Sequence, residues 1–312
     1  MTVRVLEGDC REVLAGLPDE CVQCVVTSPP YWGLRDYGVT GQLGLERTPD
    51  EYVARMVEVF REVRRVLRDD GVMWLNLGDS YSRMQPDNVP QSKNRRVLPP
   101  SMRERVVELA PKNLVGIPWR VAFALQADGW YLRSEIIWAK PNPMPESVTD
   151  RPTKSHEQIF LLTKSERYWY DAEAIAEPVA EGSVERYCYA FGGAKSEALI
   201  DANKTGMGVR TRVLGTRDVP STRNARTVWT IATQPYSGAH FATFPPKLIE
   251  PCVLAGCPKG GTVLDPFGGA GTTGLVADRL GRDAVLIELN PEYAAMARAR
   301  IKNDNPLFTD VA

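Results

Sequence analysis

The chain has 312 residues, 43% apolar and 25% charged. That balance belongs to a globular protein with a substantial core and excludes a disordered chain. No run of eighteen apolar residues occurs and the first residues lack a signal-peptide layout, so the expectation is a soluble, cytoplasmic protein.

The net charge of −1 singles out no partner. Its distribution is uneven. Residues 182–228 carry eight basic and four acidic side chains, and residues 83–105 carry six and two, leaving the remainder at −9. Two basic segments on an acidic body suit a polyanion-facing side, and equally suit solvated loops. The six cysteines are Cys10, Cys21, Cys24, Cys188, Cys252 and Cys257. Cys21-x-x-Cys24 and Cys252-x4-Cys257 could be forced into a zinc site, but Val22 and Val25 read as strand rather than as a ligand turn. Small buried thiols are expected instead, and no metal.

In chain order, short β-branched runs alternate with helical patterns, which predicts an α/β fold with a largely parallel sheet. Strands are expected at residues 3–6, 22–27, 72–77, 131–138, 158–163, 262–264 and 284–287. Thr48 is a good N-cap, Pro49 suits the first helical position and Glu51 completes a capping box. Tyr52, Val53, Met56, Val57, Phe60, Val63, Val66 and Leu67 then recur every three or four residues, and Gly71 is placed to end the helix. Further helices are expected at 118–127, from Leu275 through Leu280, and at 291–301 with Asn290 as cap. Residues 80–102 and 181–228 lack periodicity and read as loops or small insertions.

Two motifs carry chemistry. In the first, Thr262-Val263-Leu264 runs into Asp265-Pro266-Phe267-Gly268-Gly269-Ala270-Gly271-Thr272-Thr273, a strand entering a glycine-rich turn before a helix. Such a turn admits a ligand close to the backbone and to helix-start amides. The next strand ends in Glu288, an acid placed to bind ribose hydroxyls. The pair describes a nucleoside-binding βαβ unit, against the plainer reading of a tight turn without a ligand. The segment lacks the Gly-Lys-Ser/Thr ending of a phosphate loop.

The second motif is Thr27-Ser28-Pro29-Pro30-Tyr31-Trp32-Gly33. Two prolines at the mouth of a strand remove two donors and fix the backbone, so the carbonyls of Ser28 and Pro29 are available to a ligand. A preceding hydroxyl and two following rings suit a flat aromatic ligand with an exocyclic amino group. A rigid loop with a packed aromatic is the alternative.

Together, in this order, Thr-Ser-Pro-Pro-Tyr and Asp-Pro-Phe-Gly-Gly-Ala-Gly-Thr-Thr resemble the DNA amino-methyltransferases that act on cytosine N4 or adenine N6. The likeness is to the permuted group in which the catalytic motif precedes the S-adenosylmethionine motif, and it spans roughly residues 1–170 and 229–302. It implies a Rossmann-like methyltransferase fold: a mostly parallel seven-stranded sheet, helices on both faces, and a small inserted target-recognition region. Residues 1–171 would then be the catalytic half, 172–228 the recognition region, 229–302 the cofactor half and 303–312 a tail. It further implies a catalytic loop of Ser28, Pro29, Pro30 and Tyr31. S-adenosylmethionine would be held by Asp9, His240, Phe241, Asp265, Phe267, Gly268, Gly269, Gly271, Thr272, Thr273, Glu288 and Asn290. Trp138–Pro143 and Ser155-His156-Glu157 look like family segments flanking the active site. If the Gly268 strand is first and the Glu288 strand second, the N-terminal strand is third, and both chain ends meet at the surface, where a permuted domain would be cut.

An aromatic amine is a poor nucleophile, and acceptors that draw its protons favour attack on a sulfonium methyl. Ser28 Oγ and the Pro29 carbonyl are assigned that task, with Tyr31 stacked on a flipped base. By resemblance, serine at the first motif position favours cytosine N4 over adenine N6. Carbon-5 methylation would need a cysteine nucleophile; Pro251-Cys252 has the right dipeptide but reads as packing. His156 and His240 lack acid–base partners in sequence. Double-stranded DNA is the expected partner, with Arg95, Arg96, Arg186, Lys195, Arg210, Arg212 and Arg223 as candidate contacts. A cognate restriction endonuclease fits a bacterial or phage modification system, and oligomeric state stays open between monomer and dimer. Competing readings are RNA or protein-amide methylation, a catalytically inactive DNA-binding protein, and a nicotinamide-dependent oxidoreductase.

Overall fold

β-branched runs become strands, and their mutual pairing builds one sheet. The structure, a computed structural model, describes residues 1–82, 109–179, 221–234, 244–304 and 310–311. The strands are β1 (Thr2–Glu7), β2 (Val22–Thr27), β3 (Leu67–Leu77), β4 (Tyr131–Ala139), β5 (His156–Thr163), β6 (Glu177–Pro178), β7 (Thr222–Arg223), β8 (Val228–Thr230), β9 (Thr262–Asp265), β10 (Asp283–Glu288) and β11 (Asp310–Val311). The helices are α1 (Cys10–Ala15), α2 (Pro49–Val66), α3 (Ile117–Ala127), α4 (Pro246–Gly256), α5 (Thr272–Arg279) and α6 (Pro291–Asp304).

The main sheet runs β11-β1-β10-β9-β2-β3-β5-β4-β8. The expected seven strands form its middle, and the short edge strands β8 and β11 extend it to nine. Within it only β5 runs against its neighbours. Val263 pairs with Ala284 and Val3 pairs with Ala284 from the other side, so the N-terminal strand is third in the series β9, β10, β1, as expected.

Alternation along the strands makes two buried faces. Met73, Leu75 and Leu77 join Tyr52, Met56, Phe60 and Val63 of α2 in the principal core. The opposite face meets α4, where a Cβ on Gly256 would lie 2.6 Å from Trp74 Nε1 and 2.9 Å from Cys24 Sγ. The helices thus form two layers, α1, α2 and α3 packing together and α4, α5 and α6 together. Cys10, Cys24, Cys252 and Cys257 are buried thiols and Cys21 is half-buried.

The capping box at Thr48 is present: its Oγ1 accepts from Glu51 N at 3.1 Å, and Glu51 Oε2 accepts from Thr48 N at 3.3 Å. Gly71 does not end that helix, contrary to expectation. α2 stops at Val66, because Leu67 turns extended (φ −76°, ψ 136°) and pairs with Val22, placing Gly71 inside β3. Asn290 does cap α6, its Oδ1 accepting from Glu292 N at 2.9 Å.

Two compact units result. Met1–Ala174 with Thr227–Ala312 holds the nine-stranded sheet and the six described helices. Ile175–Arg226 holds the ribbon β6-β7, in which Glu177 accepts from Arg223 and Arg226.

Candidate active site

β2 and β9 lie side by side and parallel, Val25 opposite Leu264, so the two motif turns leave the sheet at the same edge. The chain diverges there, since β9 continues through α5 to β10 on one side while β2 continues through α2 to β3 on the other. That divergence opens a crevice at the carboxyl ends of the strands, where ligands settle in sheets of this kind. One cleft, with about 1220 Å³ of space continuous with solvent, is lined both by Ser28–Tyr31 and by Pro266–Ala270.

Asp265 fastens the two turns. Its Oδ1 accepts from Thr27 Oγ1 at 2.7 Å and from Phe267 N at 3.0 Å, and its Oδ2 accepts from Thr273 Oγ1 at 2.7 Å. Burial raises its carboxyl to about 6, opposed by those three donors. Gly271 adopts φ +76°, and a Cβ there would fall 2.9 Å from Ala297 Cβ, so glycine is required by conformation and by the approach of α6. Asp265, Gly271 and Thr273 lie behind the cleft wall, while Phe267, Gly268, Gly269 and Thr272 line it.

Glu288 closes the far side. Its Oε2 accepts from Gly269 N and its Oε1 from Asn290 N, both at 2.8 Å. Two backbone donors aim the carboxylate, whose remaining lone pairs suit a pair of vicinal hydroxyls. Burial raises its proton affinity in spite of those donors. Asp9, Asn290, Phe244 and Tyr293 also line the cleft. Asp9 caps α1 and is held by the Arg11 guanidinium, which pulls its carboxyl below the usual range. A flat heterocycle carrying a diol fits this acid, amide and aromatic lining.

The diproline side begins where Thr27 ends β2. Tyr52 of α2 donates to the Pro30 carbonyl at 2.9 Å, pinning the second proline. Among the described residues nothing donates to the Pro29 carbonyl. Ser28, half-buried, donates from Oγ toward Asn76 Oδ1 at 3.3 Å and Tyr31 OH at 3.4 Å. Tyr31 OH donates to Glu157 Oε2 at 2.7 Å and reaches Asn76 Oδ1 at 3.0 Å. Burial, and next the Glu157 charge, hold that phenol protonated far above its ordinary range. Glu157 pairs through Oε1 with Lys140 Nζ, and that ammonium sits 4.1 Å over the Trp138 ring.

The sequence motifs therefore meet in space, but several lining residues carried no signal. Leu34, Arg35, Tyr37, Val39 and Gln42 belong to the loop after the diproline corner and form part of the lining. Asn76 sits 45 positions from Tyr31, and only the packing of β3 beside β2 brings it there. Cys252 is buried in α4, with its thiol pushed up by desolvation and directed to Leu248 O at 3.5 Å. It does not line the cleft, so a cysteine nucleophile there has no access. Arg223 belongs to the smaller unit, paired with Glu177. His240, Phe241, Arg95, Arg96, Arg186, Lys195, Arg210 and Arg212 lie outside the described residues.

Residues 22–299 match a family described as DNA methylase, whose name joins N6 and N4 enzymes. The chain is 48% identical to type II methyltransferase M.SmaI of Serratia marcescens over 302 residues, 96% of this chain and 90% of that one. It is 47% identical to type II methyltransferase M.XycI of Xanthomonas campestris pv. cyanopsidis, covering 96% and 88%. Among solved structures it resembles the cytosine-N4-specific PvuII DNA methyltransferase, with a TM-score of 0.63, 20% identity and coverage of 97% and 92%. It also resembles a putative DNA modification methylase of Thermus thermophilus, solved with S-adenosyl-L-methionine, with a TM-score of 0.58, 23% identity and coverage of 99% of both chains.

Proposed function

Because the chain belongs to the DNA methylase family of N6 and N4 enzymes, we propose that it methylates the exocyclic N4 of cytosine in duplex DNA, within a type II restriction-modification system. The coarser activity, S-adenosylmethionine-dependent DNA methylation, follows from the family itself. S-adenosylmethionine supplies, when bound, a methyl group on a sulfonium sulfur. Glu288 would take its ribose hydroxyls, Gly268 and Gly269 would admit it against the backbone, and Asp9 with the aromatic lining would take its base.

The observation that carries the reading is the shared cleft. The diproline corner and the glycine turn face one cavity, so an amine held at Ser28 and a donor held at Gly268 can meet. A base inside a duplex cannot reach such a cavity, so it must be extruded. Ser28 Oγ and the Pro29 carbonyl would then accept the two amine hydrogens, which localises the nitrogen lone pair for in-line attack. The N–C bond would form as the methyl's bond to sulfur breaks, the electron pair staying on sulfur, and one amine proton would leave to solvent. No covalent intermediate with the protein is required. Serine at position 28 supports cytosine, since in the resembled group N4-directed members usually carry serine there and N6-directed members usually Asp or Asn. Residues 83–105 and 182–228 are assigned to DNA recognition, each on a surplus of four positive charges.

The test is to methylate duplex DNA with the purified chain, digest it to nucleosides and weigh them. N4-methylcytosine is expected. N6-methyladenine as the sole product overturns the base assignment, and methyl transfer to RNA or protein but not to DNA overturns the substrate.

A further inference from the structure

Hydrogen-bond direction decides whether Ser28 can serve as an acceptor. A hydroxyl has one hydrogen, and if that hydrogen points into the cleft, it meets the amine hydrogens of a target base head-on. We propose that the Glu157–Lys140 ion pair sets this direction, acting through Tyr31, and that Glu157 is therefore a positioning residue for methyl transfer. The proposal rests on the reading that Ser28 and Pro29 hold the target amine.

The chain of donors can be followed atom by atom. Glu157 is a carboxylate held by Lys140 Nζ on one oxygen, so its other oxygen can only accept. Tyr31 gives it its single hydrogen at 2.7 Å, in preference to the neutral Asn76 Oδ1 at 3.0 Å, because charged acceptors make the shorter and stronger bond. Asn76 cannot turn over to offer a donor instead. Its Nδ2 is spent on the Gln158 carbonyl at 3.1 Å, which leaves Oδ1 facing Ser28 and Tyr31. Ser28 is thus presented with two acceptors, Asn76 Oδ1 at 3.3 Å and the phenol oxygen at 3.4 Å, and with no inward donor from either. Its hydrogen turns inward and its lone pairs face the cleft. The anchor is itself fixed: Lys140 stacks on Trp138, and Lys154 adds a second positive charge near Glu157.

Apart from Ser28 with Tyr31, Lys140 with Trp138 and Lys154 with Glu157, these contacts join residues distant in sequence. Glu157 enters at the start of β5, paired with Trp138 of β4, and reaches Tyr31 across the end of the sheet. Replacing the carboxylate by an amide would keep the shape and lose the direction. An amide can present NH₂ to the phenol oxygen, which releases the phenol hydrogen to Asn76 and frees the Ser28 hydrogen to turn outward.

The experiment measures steady-state methylation of duplex DNA by the full chain carrying Glu157→Gln, Tyr31→Phe, or both, with separate titrations of S-adenosylmethionine and of duplex. Glu157→Gln is expected to lower kcat about 10- to 100-fold, the size of a lost charge-assisted hydrogen bond at a reacting group, with both dissociation constants within about twofold. In the Tyr31→Phe background the same substitution should change kcat less than about twofold, since the relaying phenol is gone. If Glu157→Gln fails to fold, Lys140→Met reads the same pair from its other end, with a fall in kcat expected alone and none in the Tyr31→Phe background. A Glu157→Gln enzyme with unchanged kcat, or losses that simply multiply in the double variant, overturns the proposal. Ser28→Ala at full turnover would instead bring down the reading on which it rests.

Discussion

At the level of single residues, the diproline corner is defined by what has no room. A Cβ on Gly78 would fall 2.3 Å from Tyr31 Cε2. Gly78→Ala must therefore push the ring aside, at about 1–3 kcal/mol for overpacking a buried site. Denaturant unfolding should show that loss together with a fall in kcat, because the displaced phenol leaves Glu157 and Ser28 unconnected. Substitutions at Ser28 and Glu288 test the proposed division between chemistry and binding. On the proposed reading Ser28→Ala removes one acceptor for the target amine, and about a 100-fold fall in kcat is expected, with cofactor affinity changed less than about twofold in calorimetry. Glu288→Ala should do the opposite: S-adenosylmethionine binding weakens about tenfold or more, since a pre-aimed carboxylate is lost. If Ser28→Ala also abolishes cofactor binding, its assigned role is wrong.

Between elements, Asp265 is the joint. It links β2 through Thr27, the glycine turn through Phe267 N and α5 through Thr273. Its carboxyl is raised from 3.8 to about 6, so the folded chain binds a proton that the unfolded chain releases. The sign follows: this contribution is fully present below about 3.8 and is lost as pH rises through about 6. Asp265→Asn cannot titrate, and its Nδ2 can donate to Thr273 while Thr273 turns its hydrogen to Val26 O at 3.4 Å. The variant should therefore be destabilised by about 1 kcal/mol more at pH 5 than at pH 7, which chemical denaturation at the two values would show. These elements were legible because their signals are local. β-branched runs marked the seven middle strands, and Thr48-Pro49-Asp50-Glu51 marked the start of α2. What escaped was short or long-range. α1 has only six residues, too few for a periodic stripe, and Leu67 looked helical by spacing although strand pairing with Val22 claims it. Asn76 was invisible as a site residue, since only the neighbouring strands β2 and β3 bring it to Ser28, 48 positions away.

For the whole molecule, the deciding quantity is how charge is divided, since the total of −1 conceals it. A duplex presents a dense line of phosphates, and binding it releases counterions in proportion to the phosphates neutralised. An acidic body opposes that approach, so on the proposed reading affinity is expected from the segments at 83–105 and 182–228, each with a surplus of four positive charges. Arg210 and Arg212 stand two apart in the second segment. If both meet phosphates, replacing them with alanine should reduce the slope of log K against log salt by about 2, at roughly 0.9 per contact. Phosphate contacts carry no sequence information, so cognate and unrelated duplexes should weaken alike, while cofactor affinity stays unchanged. Fluorescence anisotropy across a salt series on both duplexes measures this directly. A loss confined to the cognate duplex, with the salt slope intact, would move these arginines from the backbone to base edges and make them determinants of the recognition sequence.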